Sequence, residues 1–225
     1  MLTKKFKFED EEETFYDFIE SKKWKERGAA LDALNKALGM DIVKLPDTLE
    51  TLPPLKLAQG DYGPLAKALM TCIKKDTNVL LLIKAFTSVS VISNGLRDKF
   101  KNYGSLTIAE ILGRFKEKKV TVVAAGRMAA DSCARTIKFP DQVVEALCEK
   151  LADKNPSIRS ECTMFIMRNV KPKAVVLAKP VLKELMPKLI ANLSHPDKAI
   201  RESTAKCLAV LKGKTSSNKK FKQEK

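Results

Sequence analysis

The stretches DKNPSIRSECTMFIMRNV (residues 153–170) and SHPDKAIRESTAKCLAVL (residues 194–211) share one layout. Each opens with a polar break that contains Asp and Pro, and each then runs into a helical pattern headed by an isoleucine. From Ile158 the offsets +4, +7, +8 and +11 reach Cys162, Phe165, Ile166 and Asn169; from Ile200 they reach Thr204, Cys207, Leu208 and Leu211. Such offsets fall on one face of an α-helix. Both stretches therefore predict a helix that buries one stripe and starts where a capping oxygen or a proline sets the backbone.

The same template recurs upstream. From Val79 it reaches Ile83, Phe86, Thr87 and Ser90, and from Val122 it reaches Gly126, Ala129, Ala130 and Cys133, a small set that predicts close helix contact. The anchors Val79, Val122, Ile158 and Ile200 are separated by 43, 36 and 42 residues, near the period of two-helix HEAT and armadillo repeats. A helical pattern precedes each of the breaks at 74–78, 116–121, 153–157 and 194–199. The chain thus reads as all-α, a HEAT-repeat-like α-solenoid of about five helical hairpins at 12–38, 62–94, 99–137, 140–170 and 174–211. The first helix, at about 12–22, is expected to open on the acidic run EDEEE at the positive end of its dipole. Residues 39–63, with Pro46, Pro53, Pro54 and Gly60, are expected to form a long connection between repeats.

Composition narrows the class of function. The 225 residues are 44% hydrophobic and 31% charged, enough for a sizeable core. The net charge of +15 predicts an acidic partner: protein, nucleic acid or anionic lipid. Part of that charge sits in residues 212–225, where six lysines among Gly, Ser and Asn face Glu224, which predicts a basic flexible tail behind a domain of residues 1–211. No apolar run approaches bilayer length and no signal peptide opens the chain, so a cytoplasmic location without a membrane partner is expected. Five widely spaced cysteines with no CxxC pair, and His195 as the single histidine, predict reduced core thiols and no metal site. No cofactor or catalytic constellation is recognisable either: the segment GKTS (213–216) has Leu208 where a phosphate-binding loop needs its first glycine, and His-Pro-Asp at 195–197 reads as a turn.

In a stacked solenoid, equivalent turns line up along one edge. That edge would gather Lys22, Lys23, Lys25, Lys74, Lys75, Lys116, Lys118, Lys119, Lys154 and Lys198, with Arg201 just beyond and the only tryptophan, Trp24, at one end. Taken singly, each lysine does no more than complement a helix dipole, and Trp24 packs at the base of its hairpin. Together they make a cationic ridge tipped by an indole, the anatomy of a protein-binding hot spot. Nucleic acid is the disfavoured alternative partner, because a single turn aromatic offers few stacking platforms; a generic adaptor scaffold is the other.

The segments FYDFIESKKWKERGAALDAL (15–34), GDYGPLAKAL (60–69), KKDTNV (74–79), GLRDKF (95–100), ILGRFKEKK (111–119) and DKNPSI (153–158) resemble the TOG domains of the microtubule polymerases, most closely the second TOG domain of the array. The resemblance covers about residues 12–211. It implies a flat, paddle-like HEAT-repeat solenoid whose intra-repeat turns bind a curved, unpolymerised αβ-tubulin dimer. It implies that Trp24 packs on β-tubulin and Arg201 contacts α-tubulin, with Lys25, Lys75, Asn78, Val79, Lys118, Lys119, Lys154, Asn155 and Lys198 along the line between them. It also implies a place at microtubule ends, the spindle and the centrosome or spindle pole, and several such domains in the parent chain. The basic tail is expected to touch the microtubule lattice. Such domains generally carry a sixth repeat; here the chain passes from Leu211 into the lysine-rich tail, so that repeat is either truncated or absent.

Overall fold

The computed structural model of the chain describes residues 6–8, 11–13, 15–40, 61–135, 137, 139–170 and 177–223, with 6–8, 11–13 and 213–223 given by their backbone alone. Strands β1 (Phe6–Phe8) and β2 (Glu11–Glu13) pair antiparallel, Phe6 opposite Glu13. Ten α-helices follow among the described residues: α1 (Phe15–Glu20), α2 (Trp24–Ala37), α3 (Gly63–Lys75), α4 (Val79–Leu96), α5 (Lys101–Leu112), α6 (Val120–Ala134), α7 (Asp141–Lys150), α8 (Pro156–Val170), α9 (Lys179–Leu193) and α10 (Lys198–Gln223). They form the five expected hairpins. Within each hairpin the two helices pack on each other, the odd-numbered helices stack in series, and the even-numbered helices stack in series beside them. This is a two-layer α-solenoid, and its connectivity puts every odd-to-even turn on one edge.

The core runs through α4. Leu81, Leu82, Ala85, Phe86, Val89, Val91 and Ile92 are all buried, because α4 has α2, α3 and α6 packed around it. The small residues of α6 let it lie against α4: the Phe86 and Phe115 rings reach to 3.5 Å of where a Cβ on Gly126 would stand. On the other side α2 approaches closely at Gly28, where a Cβ would press to 3.2 Å on the Leu81 side chain. Polar ties then fix the register of successive even helices. Lys84 Nζ reaches Asp32 at 2.6 Å between α4 and α2. Ser93 and Ser132 share a 2.7 Å hydrogen bond between α4 and α6, Arg168 donates to Asp131 at 2.6 Å between α8 and α6, and Ser160 faces Ser203 at 3.4 Å between α8 and α10.

Several expectations are corrected in detail. The acidic run does not open the first helix: Glu11–Glu13 is strand β2, and α1 starts at Phe15 with Asp17 in its first turn. The repeat register at α4 is set by Leu81, not Val79. Leu81 is the third residue of α4, as Val122, Ile158 and Ile200 are of α6, α8 and α10, and its offsets land on Ala85, Ser88, Val89 and Ile92, all buried; of the expected stripe, Phe86, Thr87 and Ser90 are also buried, but Val79 and Ile83 are only half-buried. A helix apolar on nearly every side shows no single phase, so the sequence pattern alone places the stripe half a turn away. Residues Val79–Lys116 do contain a window apolar enough to cross a membrane by length and composition, but 67% of it is buried inside the protein. Finally, α10 runs on to Gln223, so the lysine-rich segment prolongs the last helix instead of leaving it at Leu211; lysine and glutamine are good helix formers, and no proline interrupts them. Most of the expected long connection, 41–60, lies outside the described residues.

Two tests follow from this core. Phe86→Ala empties a fully buried ring site between α4 and α6 and should cost about 3–5 kcal/mol of unfolding free energy in a denaturant titration. Cys72, Cys133, Cys162 and Cys207 are buried and Cys148 is half-buried. Burial pushes the Cys72, Cys133 and Cys207 thiols up to about 12 and raises Cys162 as well. A thiol reagent at mildly alkaline pH should therefore modify Cys148 alone in the folded protein and all five cysteines in denaturant.

Candidate protein-binding edge

Each hairpin reverses direction within three to five residues, the third counted from the 3-10 turn that ends at Lys116, which strips helix-start N–H groups of partners. The turns answer this with side-chain acceptors in repeating positions. In the second, Asp76 Oδ1 accepts from Asn78 N at 3.0 Å and Asn78 Oδ1 from Leu80 N at 2.9 Å. In the fourth, Asp153 Oδ1 accepts from Asn155 N and Asn155 Oδ1 from Ser157 N, both at 2.9 Å. In the fifth, His195 Nδ1 accepts from Asp197 N at 3.0 Å and Asp197 Oδ1 from Ala199 N at 2.8 Å. The first begins the same way, with Ser21 Oγ accepting from Lys23 N at 3.1 Å. The residues just before α2, α4 and α6 have nearly one backbone conformation: φ/ψ of −80/118 at Lys23, −77/119 at Asn78 and −78/119 at Lys119.

This geometry explains the charge of the edge. Asp76 is buried, and Asp153 and Asp197 are half-buried, because their carboxylates turn inward to hold the turn. Lys25, Lys75, Lys118, Lys119 and Lys154 are exposed and hold no carboxylate among the described residues. Lys198 lies 3.6 Å from Glu202, and Lys74 lies 2.9 Å from Glu110. Lys23 and Ser21 hydrogen bonds hold the Glu26 carboxyl below its usual range.

The equivalent first positions of the even helices are Trp24, Val79, Val120, Pro156 and Lys198. At the starts of the even helices, large apolar side chains are exposed at the first three turns: Trp24 is 50% exposed, Leu80 58% and Val120 77%; Leu193, the last residue of α9 at the fifth turn, is 39% exposed. Leu80 and Val120 were not among the sequence candidates. Aligning the helices on their capping residues, instead of on their buried stripes, finds Val120 as the counterpart of Trp24, with Leu80 one place beyond its own counterpart, Val79. Val79 itself is half-buried, and Asn78 and Asn155 are half-buried, Asn78 with its side chain capping α4 and Asn155 likewise bonding the start of α8. Arg201 is also half-buried, its Nη1 donating to His195 O at 2.8 Å and Pro196 O at 2.6 Å. It is the counterpart of Arg27, which donates to Ser21 O and Lys22 O, and of Arg159, which donates to Asp153 O and Ala152 O. Among the described residues no group of His, Cys, Asp and Glu is placed to hold a metal ion.

No family model matches the chain. It is 37% identical over 198 residues to the protein mini spindles of Drosophila melanogaster, an alignment that takes in 88% of this chain and 9% of that protein. A solved structure from work on microtubule plus-end tracking by XMAP215, CLIP-170 and EB1 is 36% identical and superposes with a TM-score of 0.74, covering 88% of this chain and 76% of that one. A second, from work on tubulin recruitment and assembly by microtubule polymerases with TOG domain arrays, is 28% identical with a TM-score of 0.73, covering 88% and 39%. The chain belongs to the TOG-domain family. This TOG domain spans under a tenth of the length of the curated relative it matches, and its five turns, four of them with side-chain acceptors, form the edge described above.

The half-exposed indole of Trp24 gives this edge a direct reporter. Iodide should quench the fluorescence of the free TOG domain efficiently, because the lysines around Trp24 attract the anion, and quenching should fall as ionic strength rises.

Proposed function

We propose that this TOG domain binds unpolymerised αβ-tubulin along its turn edge and serves as a tubulin-recruiting module of a microtubule polymerase. One observation carries the reading: five turns share an edge on which the acidic side chains of turns two, four and five face inward, the lysines face outward, and Trp24, Leu80 and Val120 form an exposed apolar end. An apolar anchor beside a cationic stripe suits an acidic protein surface, with the anchor supplying affinity and the charges steering encounter. The solved relative from work on tubulin recruitment supports the choice of partner.

In this reading Trp24 with Lys25 meets β-tubulin. Lys75, Asn78, Val79, Lys118 and Lys119 continue the contact, with Leu80 and Val120 added to it. Lys154, Asn155, Lys198 and Arg201 meet α-tubulin. Asn78, Asn155 and Arg201 act in part by holding their turns. The binding domain is residues 1–211, it corresponds to the second TOG domain of an array, and the lysines of 212–225 contact the microtubule lattice. The parent protein would then work at microtubule ends, the spindle and the centrosome or spindle pole, and the domain itself would catalyse no reaction.

Gel filtration with unpolymerised tubulin tests the reading: the domain should co-elute with the dimer, and less so as salt rises. Trp24→Ala or Arg201→Ala should each weaken binding by about 2 kcal/mol or more with helix content unchanged, and Leu80→Ala should weaken it more than Ala substitution of half-buried Val79. Tighter binding to an arbitrary oligonucleotide than to tubulin at physiological salt would replace this reading with a nucleic-acid one.

A further inference from the structure

Beneath the edge, a run of hydrogen bonds crosses from the first turn to the third. Arg27, whose side chain is 20% exposed, donates from Nη1 to Ser21 O at 2.8 Å and Lys22 O at 3.0 Å, and from Nε to Asp76 Oδ2 at 2.8 Å. Asp76, 4% exposed at its side chain, joins that guanidinium to the amide of Asn78 through its other oxygen. Arg114 comes from the 3-10 turn Gly113–Lys116 that ends the odd helix of the third hairpin. It reaches back to donate to Ile73 O, to Lys74 O at 2.6 Å and to Asp76 O at 2.8 Å, and it also donates to Glu117 Oε1 at 3.3 Å. Three turns dispersed through about a hundred residues of sequence are thereby bonded to one another. The fourth and fifth are joined separately: Asn192, at the end of α9, accepts from Arg159 Nη1 at 2.9 Å and donates to Leu151 O at 3.0 Å.

Between the third and fourth turns the pattern stops. Among the described residues no side-chain hydrogen bond joins them, and a cleft of about 390 Å³ lies there, lined on one side by Lys74, Arg114 and Lys116 and on the other by Lys150, Asp153 and Asn155.

We propose that Arg27, Asp76 and Arg114 are positioning residues that lock the first three turns into one rigid block, so that Trp24, Leu80 and Val120 meet the partner as a single pre-organised surface, separate from the block of turns four and five. The physical ground is that an interface side chain carried on a turn costs ordering free energy when it binds, unless the turn is already held. Short turns hold themselves only through their own caps. Here the caps of one turn are shared with its neighbours, so displacing one turn breaks charge-assisted bonds in the next. The proposal rests on the tubulin-binding reading for its affinity readout, and on nothing beyond the geometry for its dynamic readout.

Asp76→Asn is the sharpest variant, because it keeps the Oδ1 acceptor for Asn78 N and sets an amide N–H₂ against Arg27. Arg27→Lys is the second, retaining charge while removing the fork. Backbone hydrogen exchange of both variants, with folding checked by circular dichroism, should show faster exchange at residues 21–25 and 76–80 and unchanged exchange at 153–157 and 195–199. Tubulin affinity should fall about tenfold in Asp76→Asn. That loss should shrink to within about twofold when Trp24 is already alanine, and should persist in full when Arg201 is alanine, since coupled sites are non-additive and independent ones add. Exchange unchanged in the first two turns, exchange raised equally in all five, or an affinity loss of the same size in both backgrounds would each overturn the proposal. Absence of tubulin binding by the unaltered domain would remove the tubulin reading and leave the exchange result to decide this one.

Discussion

A helical hairpin that turns in three to five residues cannot leave the first amides of its second helix to water alone when that helix start borders other turns. The rest of this molecule depends on how that constraint is met. A short acceptor, Asp, Asn, Ser or His, is needed at one position, and its own backbone then accepts or donates in a ladder that repeats at Asp76, Asp153 and His195. Meeting the constraint from inside has an electrostatic consequence. Acidic side chains that would neutralise the edge are withdrawn to serve as caps, and the lysines left outside set its sign.

The same constraint accounts for which residues can serve recognition. The first two positions of each even helix follow directly on the caps. At the first three turns these carry Trp24, Leu80 and Val120; at the last two they carry Pro156 and Lys198. The even-helix starts are therefore graded, apolar toward the amino-terminal end and polar toward the other, which gives the edge a direction. Affinity drawn from desolvated apolar anchors and encounter drawn from charge are different quantities, governed chiefly by dissociation and association. A graded edge lets the two ends of the solenoid supply them separately.

Much of this was legible in the residues. The hairpins, their order and their turns followed from polar breaks at a regular period and from buried stripes at helical spacing. The errors have physical causes. α4 is apolar around most of its circumference, so hydrophobicity does not fix its phase and points to Val79 where the structure has Leu81. β2 was mistaken for a helix start because acidic residues favour a helix amino terminus without specifying one. Arg27, Asp76 and Arg114 could not be picked out at all: a guanidinium that bonds carbonyls of another hairpin has no local signature, since backbone acceptors are present at every residue and only the fold selects which ones meet.

That last point bears on Arg201, which the sequence marked for contact and the structure shows bonded to the carbonyls of His195 and Pro196. The two roles are compatible in an arginine. Its five N–H donors form a fixed fork, and Nη1 alone makes both of these bonds, so the side chain is oriented by its own turn while remaining half-buried at the edge. A lysine in its place would have to choose between holding the turn and meeting the partner. Arg27 shows the other limit of the same device, its Nε and Nη1 both engaged within the protein by Asp76, Ser21 and Lys22. Whether an arginine at this repeated position is spent on the fold or offered to a partner is thus decided by what the neighbouring turn supplies: a carboxylate beside Arg27, and at Arg201 only the turn it already caps.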